Sequence, residues 1–373
     1  MTLALATMSG LLNMSRTVVT PKINDCASAP GTRCKEQAGS RPDVADVRSS
    51  GVGATAPDGH PSIMYAPFPT LTAAGEADQF VADRIAEGAD YLKIFSGVGG
   101  RWPALSSDTI AALATAAHSR GLVVVAHVST TAGVEEVVSA GVDVIAHVPA
   151  DASLPEALVD RIAEAGIAVG PTLATIENTL GGSGSAAVLA DPRLADALGE
   201  AWARRLTSGA PSGRAMPPYS RAENNVRRLA QVGVTVLAGT DAPNPGTVFG
   251  ASLHRELELL VRCGISPAQA LAAATTEPAR VFGLTDRGRV AVGQRADLVL
   301  VSGDPLADIT ETRAIERIWR AGVLCDRSAY VASAVEAEQL DAFDTQVARA
   351  VAAVRNRWNP QRQQTPRSTV DRL

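Results

Sequence analysis

Four residues that can bind metal ions or move protons each stand near the downstream end of a short apolar run of the sequence: Lys93, His127, His147 and Asp241. Imidazole and carboxylate groups bind divalent metals, and carboxylates also serve as general bases. Because the carboxyl ends of parallel strands meet at one mouth of an α/β barrel, we expect the four side chains to converge there. Such groups are costly to bury singly, so they should pair with one another or with a cation.

Each of the four residues also has a plainer interpretation. Lys93 can extend along the barrel mouth to solvent beside Asp241. A single histidine at the end of a strand is commonly only hydrogen-bonded, and Asp241 can cap the helix that follows residues 244–247. Two histidines at equivalent ends of consecutive strands, His127 and His147, favour a metal site over these alternatives.

Two further residues are weaker candidates for substrate binding. Tyr219 closes a long excursion of the chain and can hydrogen-bond a substrate carbonyl or carboxylate, or pack on the barrel rim. His254 stands in the first turn of a predicted helix, where it can reach the mouth or remain on the surface. His60 lies in the loop Asp58-Gly-His-Pro61, and no neighbouring motif supports a substrate role for it.

The elements that must position these residues alternate between strand and helix. Strands are predicted near residues 47, 90, 122, 142, 167 and 234, with helices between them that begin at capping residues and end at glycines. This alternation predicts an α/β fold, a TIM-like barrel with a parallel sheet and right-handed crossovers. Six strands are readable where a closed barrel needs eight. Either residues 1–45 supply two irregular strands, or the barrel is incomplete.

The pattern divides the chain into four parts. Residues 1–42 are predicted to be an irregular N-terminal segment, and residues 43–284 form the barrel. Within the barrel, residues 177–219 read as a lid or substrate loop punctuated by Gly and Pro. Residues 285–330 are predicted to form a small β-sandwich portion, and residues 331–373 a helix followed by a disordered tail.

Composition restricts the partners of this chain. A formal net charge of −5 and a pI near 5.6 give no electrostatic basis for binding nucleic acid. The four scattered cysteines and the lack of a basic leader or a long apolar run predict a cytoplasmic protein that makes no membrane contact. Unpaired edges of an incomplete barrel favour self-association into a homo-oligomer.

Three stretches resemble the metal-dependent amidohydrolase superfamily, in its imidazolonepropionase- and prolidase-like branch. The first is the series Tyr-Leu-Lys93, Ala-His127, Ala-His147 and Gly-Thr-Asp241. The second is the predicted helix pair at residues 252–279, and the third is the run from Gly288-Arg-Val to Gly303-Asp-Pro-Leu. Family members carry a His-x-His pair on their first barrel strand, and the sequence printed here contains no such pair.

The resemblance implies a chemistry for the four residues. Lys93 would be N-carboxylated and bridge two metals, His127 and His147 would be metal ligands, and Asp241 would be both a ligand and the base that accepts the proton of the attacking water. The cofactor would be one or two divalent ions, zinc first, and the reaction would be hydrolysis of amide, cyclic amide or dipeptide-like bonds in a small-molecule substrate. Two alternatives stay open: a catalytically impaired remnant lacking one metal site, and a lactone or phosphoester hydrolase of the same fold.

Overall fold

The computed structural model describes residues 3–6, 46–62, 68–97, 102–207, 217–242, 244, 246–326, 342, 345 and 349. The strands are β1 Leu3–Ala6, β2 Tyr91–Phe95, β3 Val123–His127, β4 Val144–Ala146, β5 Ala168–Gly170, β6 Leu298–Val301, β7 Ile315–Arg320 and β8 Val323–Leu324. The α-helices are α1 Ala77–Ala86, α2 Ser107–His118, α3 Thr131–Ser139, α4 Glu156–Glu164, α5 Leu173–Thr179, α6 Gly184–Leu189, α7 Pro192–Thr207, α8 Ser220–Gln231, α9 Ala251–Arg262, α10 Pro267–Ala273 and α11 Thr276–Val281.

The larger part of the fold is built on a parallel sheet whose strands follow chain order, β2-β3-β4-β5. A segment before β2 continues the sheet through the bridge of Ala54 to Ile94, and a segment after α8 continues it through the bridge of Val169 to Val236. The α/β class and the parallel sheet are therefore confirmed. The sheet contains six adjacent segments of chain, which are four strands and two segments joined by single bridges. The predicted strands near 47 and 234 are single bridges rather than regular strands. Among the described residues, no seventh or eighth strand joins this sheet.

Alternation along the parallel strands separates two cores. Inward-facing side chains form the barrel interior, which consists of Tyr91, Val125, Val144, Ala146, Ala168 and Leu237. Outward-facing residues such as Leu92, Ile94 and Ile145 pack beneath the helices in the main core. Because side chains along a strand point to alternate faces, Lys93 and His127 fall on the inner face with Tyr91 and Val125.

The second sheet is antiparallel and has the order β1-β6-β7-β8. Three of its strands lie within residues 285–330, where the sequence predicts short strands. The fourth is β1, with Leu3 opposite Val301 and Ala6 opposite Leu298. The prediction that residues 1–42 are irregular is therefore wrong for Leu3–Ala6, because four residues give too short a pattern to be read as a strand without the partner strand. Residues 7–42, with Cys26 and Cys34, lie outside the described residues.

The excursion at residues 177–219 is helical rather than an extended loop. α5 includes Glu177, and α6 and α7 follow it, with residues 208–216 outside the described part. α2 is capped by Ser106, whose side chain accepts a hydrogen bond from the Thr109 amide. Of the predicted C-terminal helix, residues 342, 345 and 349 are described and helical. No helix among the described residues has the length and apolar character that a membrane crossing requires.

Candidate functional site

The first two residues of the candidate site lie on adjacent parallel strands. Lys93 is the central residue of β2, 1% exposed, and its Nζ has no hydrogen-bond partner among the described residues. His127 ends β3 opposite Phe95, and its buried Nε2 also lacks a hydrogen-bond partner in the described part of the chain. Buried polar atoms are normally satisfied, so two nitrogens without hydrogen-bond partners on one inner face indicate a candidate binding site.

A residue with left-handed backbone conformation follows each of the next three segments of the sheet, which are β4, β5 and the segment that contains Val236. His147, Thr172 and Asp241 have φ values of 73°, 53° and 52°, a region that residues other than glycine rarely adopt. Strict alternation after Ala146 would send His147 outward, toward the helices, so the unusual φ allows its ring to turn back to the mouth. Strained residues of this kind cluster at functional sites, where the surrounding structure holds them.

The side chains converge as expected. The rings of His127 and His147 lie 4.5 Å apart between centroids, and His147 Nε2 lies 3.9 Å from Asp241 Oδ2. His147 Nδ1 is 2.6 Å from the hydroxyl of Thr172. Asn244 donates from its amide to Asp241 Oδ2 at 2.7 Å, which fixes the carboxylate. The four predicted residues therefore share one end of the parallel sheet.

Burial determines the charges at this site. It lowers the pKa of Lys93 to about 7, and the neighbouring Asp241 carboxylate opposes that shift. It also lowers the pKa of His147 to about 3, assisted by Lys93 and His60, and the pKa of His127 well below its ordinary value. At neutral pH the imidazoles are therefore uncharged, which is the form that binds metals. Lys93 has a substantial fraction of neutral amine, the form that reacts with carbon dioxide.

His60 lies beside the candidate site, although no sequence motif indicated this position. Its ring centroid is 5.4 Å from that of His127, 5.6 Å from Phe95 and 5.7 Å from Trp102. Burial, and then the charge of Lys93, lower its pKa to about 4. The only sequence signal was its position in a loop after the first predicted strand. That signal is weak because such loops also carry many surface histidines.

The two weaker candidates do not share the surroundings of the four central residues. His254 Nδ1 lies 3.0 Å from the hydroxyl of Thr312, in the 3₁₀ helix Ile309–Arg313 before β7. Tyr219 precedes α8, and burial together with the charges of Glu256 and Glu177 raises its pKa. Substrate binding by either residue stays a prediction that no described contact supports.

The donor types fit a divalent metal ion. Two neutral imidazoles and a carboxylate suit zinc and related ions, and the unpartnered Lys93 Nζ would gain a carboxylate if it were carboxylated. As the side chains stand, no three His, Cys, Asp or Glu residues of the described ranges surround a common point closely enough to hold a metal. Binding an ion would therefore require movements of these side chains.

Comparison with known proteins gives a consistent assignment. Residues 41–325 match the model of the Amidohydrolase family. Over 100 residues the chain is 41% identical to the imidazolonepropionase of Deinococcus deserti, which covers 26% of this chain and 25% of that enzyme. An Xaa-Pro dipeptidase structure with bound methionine matches with a TM-score of 0.61 at 21% identity, over 81% of this chain and 72% of the other. A putative prolidase from Bifidobacterium longum matches with a TM-score of 0.59 at 25% identity, over 86% and 74%.

Proposed function

Because this chain belongs to the amidohydrolase family, we propose that it hydrolyses carbon–nitrogen bonds of small molecules by a metal-dependent mechanism. The observation that carries the proposal is the convergence of Lys93, His127, His147 and Asp241 at one end of the parallel sheet, with two donors left unpartnered. A purely structural cluster would be expected to satisfy those donors internally.

His127, His147 and Asp241 would hold the metal ion, with Lys93 as a further ligand in its carbamate form. When bound, a divalent ion supplies Lewis-acid polarisation of a substrate carbonyl and lowers the pKa of water towards neutrality. Asp241 is positioned by Asn244 to accept the proton of the attacking water and to pass it to the leaving nitrogen. Proton transfer of this kind requires a carboxylate that is fixed in place and ionised.

His60 would also contribute to the proposed hydrolysis. Because its pKa is lowered to about 4, it is neutral at working pH and can donate a hydrogen bond without adding charge. Its edge-on contacts with Phe95 and Trp102 form an aromatic wall beside His127. That wall would exclude water and orient an apolar portion of the substrate.

The substrate class rests on the named relatives. Imidazolonepropionase, the Xaa-Pro dipeptidase and the putative prolidase take their names from a cyclic amide and from dipeptides, so we propose cyclic amides and dipeptide-like compounds for this chain. The chain spans only a quarter of the Deinococcus enzyme's length, and its whole activity is part of the proposal. A catalytically impaired member is the competing proposal, because the printed sequence holds no His-x-His pair.

Metal content separates these two proposals. We expect protein purified from zinc-supplemented cells to contain about one divalent ion per chain, measured by elemental analysis. Lys93→Met should lose most of it, whereas Tyr91→Phe, on the same face of β2, should keep it. Bicarbonate should accelerate reconstitution of the metal-free protein if Lys93 is carboxylated. Metal-free wild-type protein after supplementation would favour the impaired member.

An assay panel then tests the reaction. Metal-loaded protein should release amine from one or more members of a set of dipeptides, N-acyl amino acids and cyclic amides, and a chelator should abolish that release. Hydrolysis of lactones or phosphoesters in the same panel, without amide hydrolysis, would show that the protein cleaves ester bonds rather than carbon–nitrogen bonds. No turnover of any member by fully loaded protein would leave the impaired member as the conclusion.

A further inference from the structure

The side chain of the N-cap residue of the short helix α5 does not cap that helix. Thr172 is the N-cap of α5, and an N-cap threonine ordinarily accepts a hydrogen bond from the second or third amide of its helix. Here the Thr172 side chain makes no such bond. Its hydroxyl lies 2.6 Å from His147 Nδ1 instead.

A buried carboxyl group takes over the capping role. Glu256, in α9 and fully buried, accepts from the Leu173 amide at 3.0 Å and from the Ala174 amide at 2.8 Å. These are the first two amides of α5, which have no partner within the helix. Because Glu256 satisfies them from another element, the Thr172 hydroxyl is available to His147.

The same helix also makes hydrogen bonds to the backbone around Asp241. Thr175 donates to the carbonyl of Thr240, the residue before Asp241, at 2.5 Å. Asn178 donates to the carbonyl of Gly246, in the segment after Asp241, at 2.9 Å. α5 and its N-cap residue therefore contact both the His147 ring and the backbone on either side of Asp241.

His147 Nδ1 faces the Thr172 hydroxyl, which leaves Nε2 as the ring nitrogen on the side of Asp241. His147 Nε2 lies 3.9 Å from Asp241 Oδ2, which exceeds hydrogen-bond distance, so Asp241 does not fix the ring. Thr172 is 0% exposed and its φ of 53° is strained for a β-branched residue. Such strain persists only where surrounding contacts hold it, as Glu256 does here.

We propose that Thr172 is a positioning residue: its hydroxyl accepts the Nδ1 proton of His147 and so presents the Nε2 lone pair of that ring to the metal ion. The proposal rests on the proposed function. A ligand histidine is generally held through its second ring nitrogen in this way, and loss of such a partner typically weakens metal affinity about 10- to 100-fold.

Three variants test the assignment. Thr172→Val removes the hydroxyl and keeps the branched shape, Thr172→Ser keeps the hydroxyl, and Thr179→Val makes the same change at the far end of α5. Zinc affinity, measured by competition with a chelating dye, should fall about 10- to 100-fold in Thr172→Val and stay near wild type in the other two. Equal affinity in Thr172→Val and wild type would overturn the proposal while leaving the proposed function intact.

A second measurement does not depend on the metal. In metal-free protein labelled with ¹⁵N-histidine, the His147 signals, assigned with a His147→Gln variant, should show the proton on Nδ1 in wild type and in Thr172→Ser. Thr172→Val should move the proton to Nε2 or give a mixture of both forms. If wild-type protein binds no metal, the proposed function fails, and this experiment still decides the role of Thr172. Identical His147 signals in wild type and Thr172→Val would refute that role.

Discussion

At the scale of single residues, the site combines unusual backbone with buried, uncharged nitrogen donors. His147, Thr172 and Asp241 each end a path of the sheet in left-handed conformation. Burial keeps the imidazoles of His60, His127 and His147 neutral by lowering the pKa of each. These features favour metal binding over an ion pair with Asp241. A neutral imidazole can coordinate a metal ion through a nitrogen lone pair, but it carries no positive charge to pair with a carboxylate.

His60 offers a direct test at this scale. We expect His60→Ala to lower turnover of the best substrate in the panel about 100-fold, because it removes a hydrogen-bond donor beside the reacting centre. Metal content should remain unchanged. His118→Ala, an exposed histidine on α2, is the matched control and should keep full turnover. A parallel loss of metal and turnover in His60→Ala would instead make His60 a ligand.

Glu256 predicts a specific dependence of stability on pH. Burial raises its pKa from 4.5 to about 8, and the two amides of α5 oppose that shift. Between these values the folded state holds the proton more tightly than the unfolded chain. The stabilisation is therefore complete below pH 4.5 and is lost as the pH rises through about 8.

Thermal melts of metal-free protein between pH 5 and pH 8.5 check this behaviour. The melting temperature of wild type should fall with rising pH relative to that of Glu256→Gln, because the variant has no proton to lose. Glu164→Gln, at an exposed position on α4, should follow the wild-type curve. Parallel curves for wild type and Glu256→Gln would contradict the prediction.

At the scale of elements, the loops at the mouth are positioned by close backbone contacts. Gly97 follows β2 with a φ of 58°, and a Cβ there would overlap the Cα of Gly133 in α3. The Thr130 hydroxyl donates to the Gly97 carbonyl at 3.1 Å and accepts from the Gly133 amide at 3.1 Å. The start of α3 is thereby fixed against the strand that carries Lys93.

Gly97→Ala tests the importance of this contact. Its free energy of unfolding, from urea denaturation, should fall by about 1–3 kcal/mol more than that of Gly121→Ala. Gly121 also has a positive φ, but open space surrounds the position of its Cβ, so it reports the backbone cost alone. Equal losses in the two variants would show that α3 moves to accommodate the methyl group.

At the scale of the whole molecule, buried ion pairs join the barrel to the C-terminal sheet. Arg313, in the 3₁₀ helix before β7, is 7% exposed and pairs with Asp191 at 3.2 Å and with Glu258 of α9 at 2.6 Å. Arg255 in turn pairs with Glu258 and with Glu177 of α5, at 2.7 Å each. The network therefore extends from the C-terminal part to the helix that positions His147 and Asp241.

Arg313→Met should lower the free energy of unfolding by on the order of 2 kcal/mol, because it removes a buried guanidinium that pairs with two half-buried carboxylates. Arg204→Met removes a pair of comparable geometry at an exposed position of α7, and should cost about 0.5 kcal/mol or less. Denaturation curves for the two variants provide the comparison. A similar small loss in both would mean that water replaces Arg313 without cost.

The class of the fold and the four central residues of the candidate site could be predicted from the sequence. Strand-and-helix alternation predicts the parallel sheet, and Lys93, His127, His147 and Asp241 could be identified because ends of parallel strands meet at one edge whatever the loop details. These are local patterns, each readable within ten residues of chain.

The remaining features could not be predicted from the sequence, because they depend on which distant residues come into contact in the folded chain. His60 joins His127 from a loop more than 60 residues away in sequence, and Glu256 reaches the start of α5 from α9. The strand Leu3–Ala6 exists through its pairing with Leu298–Val301, and no pattern in four residues could indicate that partner. His254 was placed correctly on its helix, but the packing of the C-terminal part gives it Thr312 as a partner.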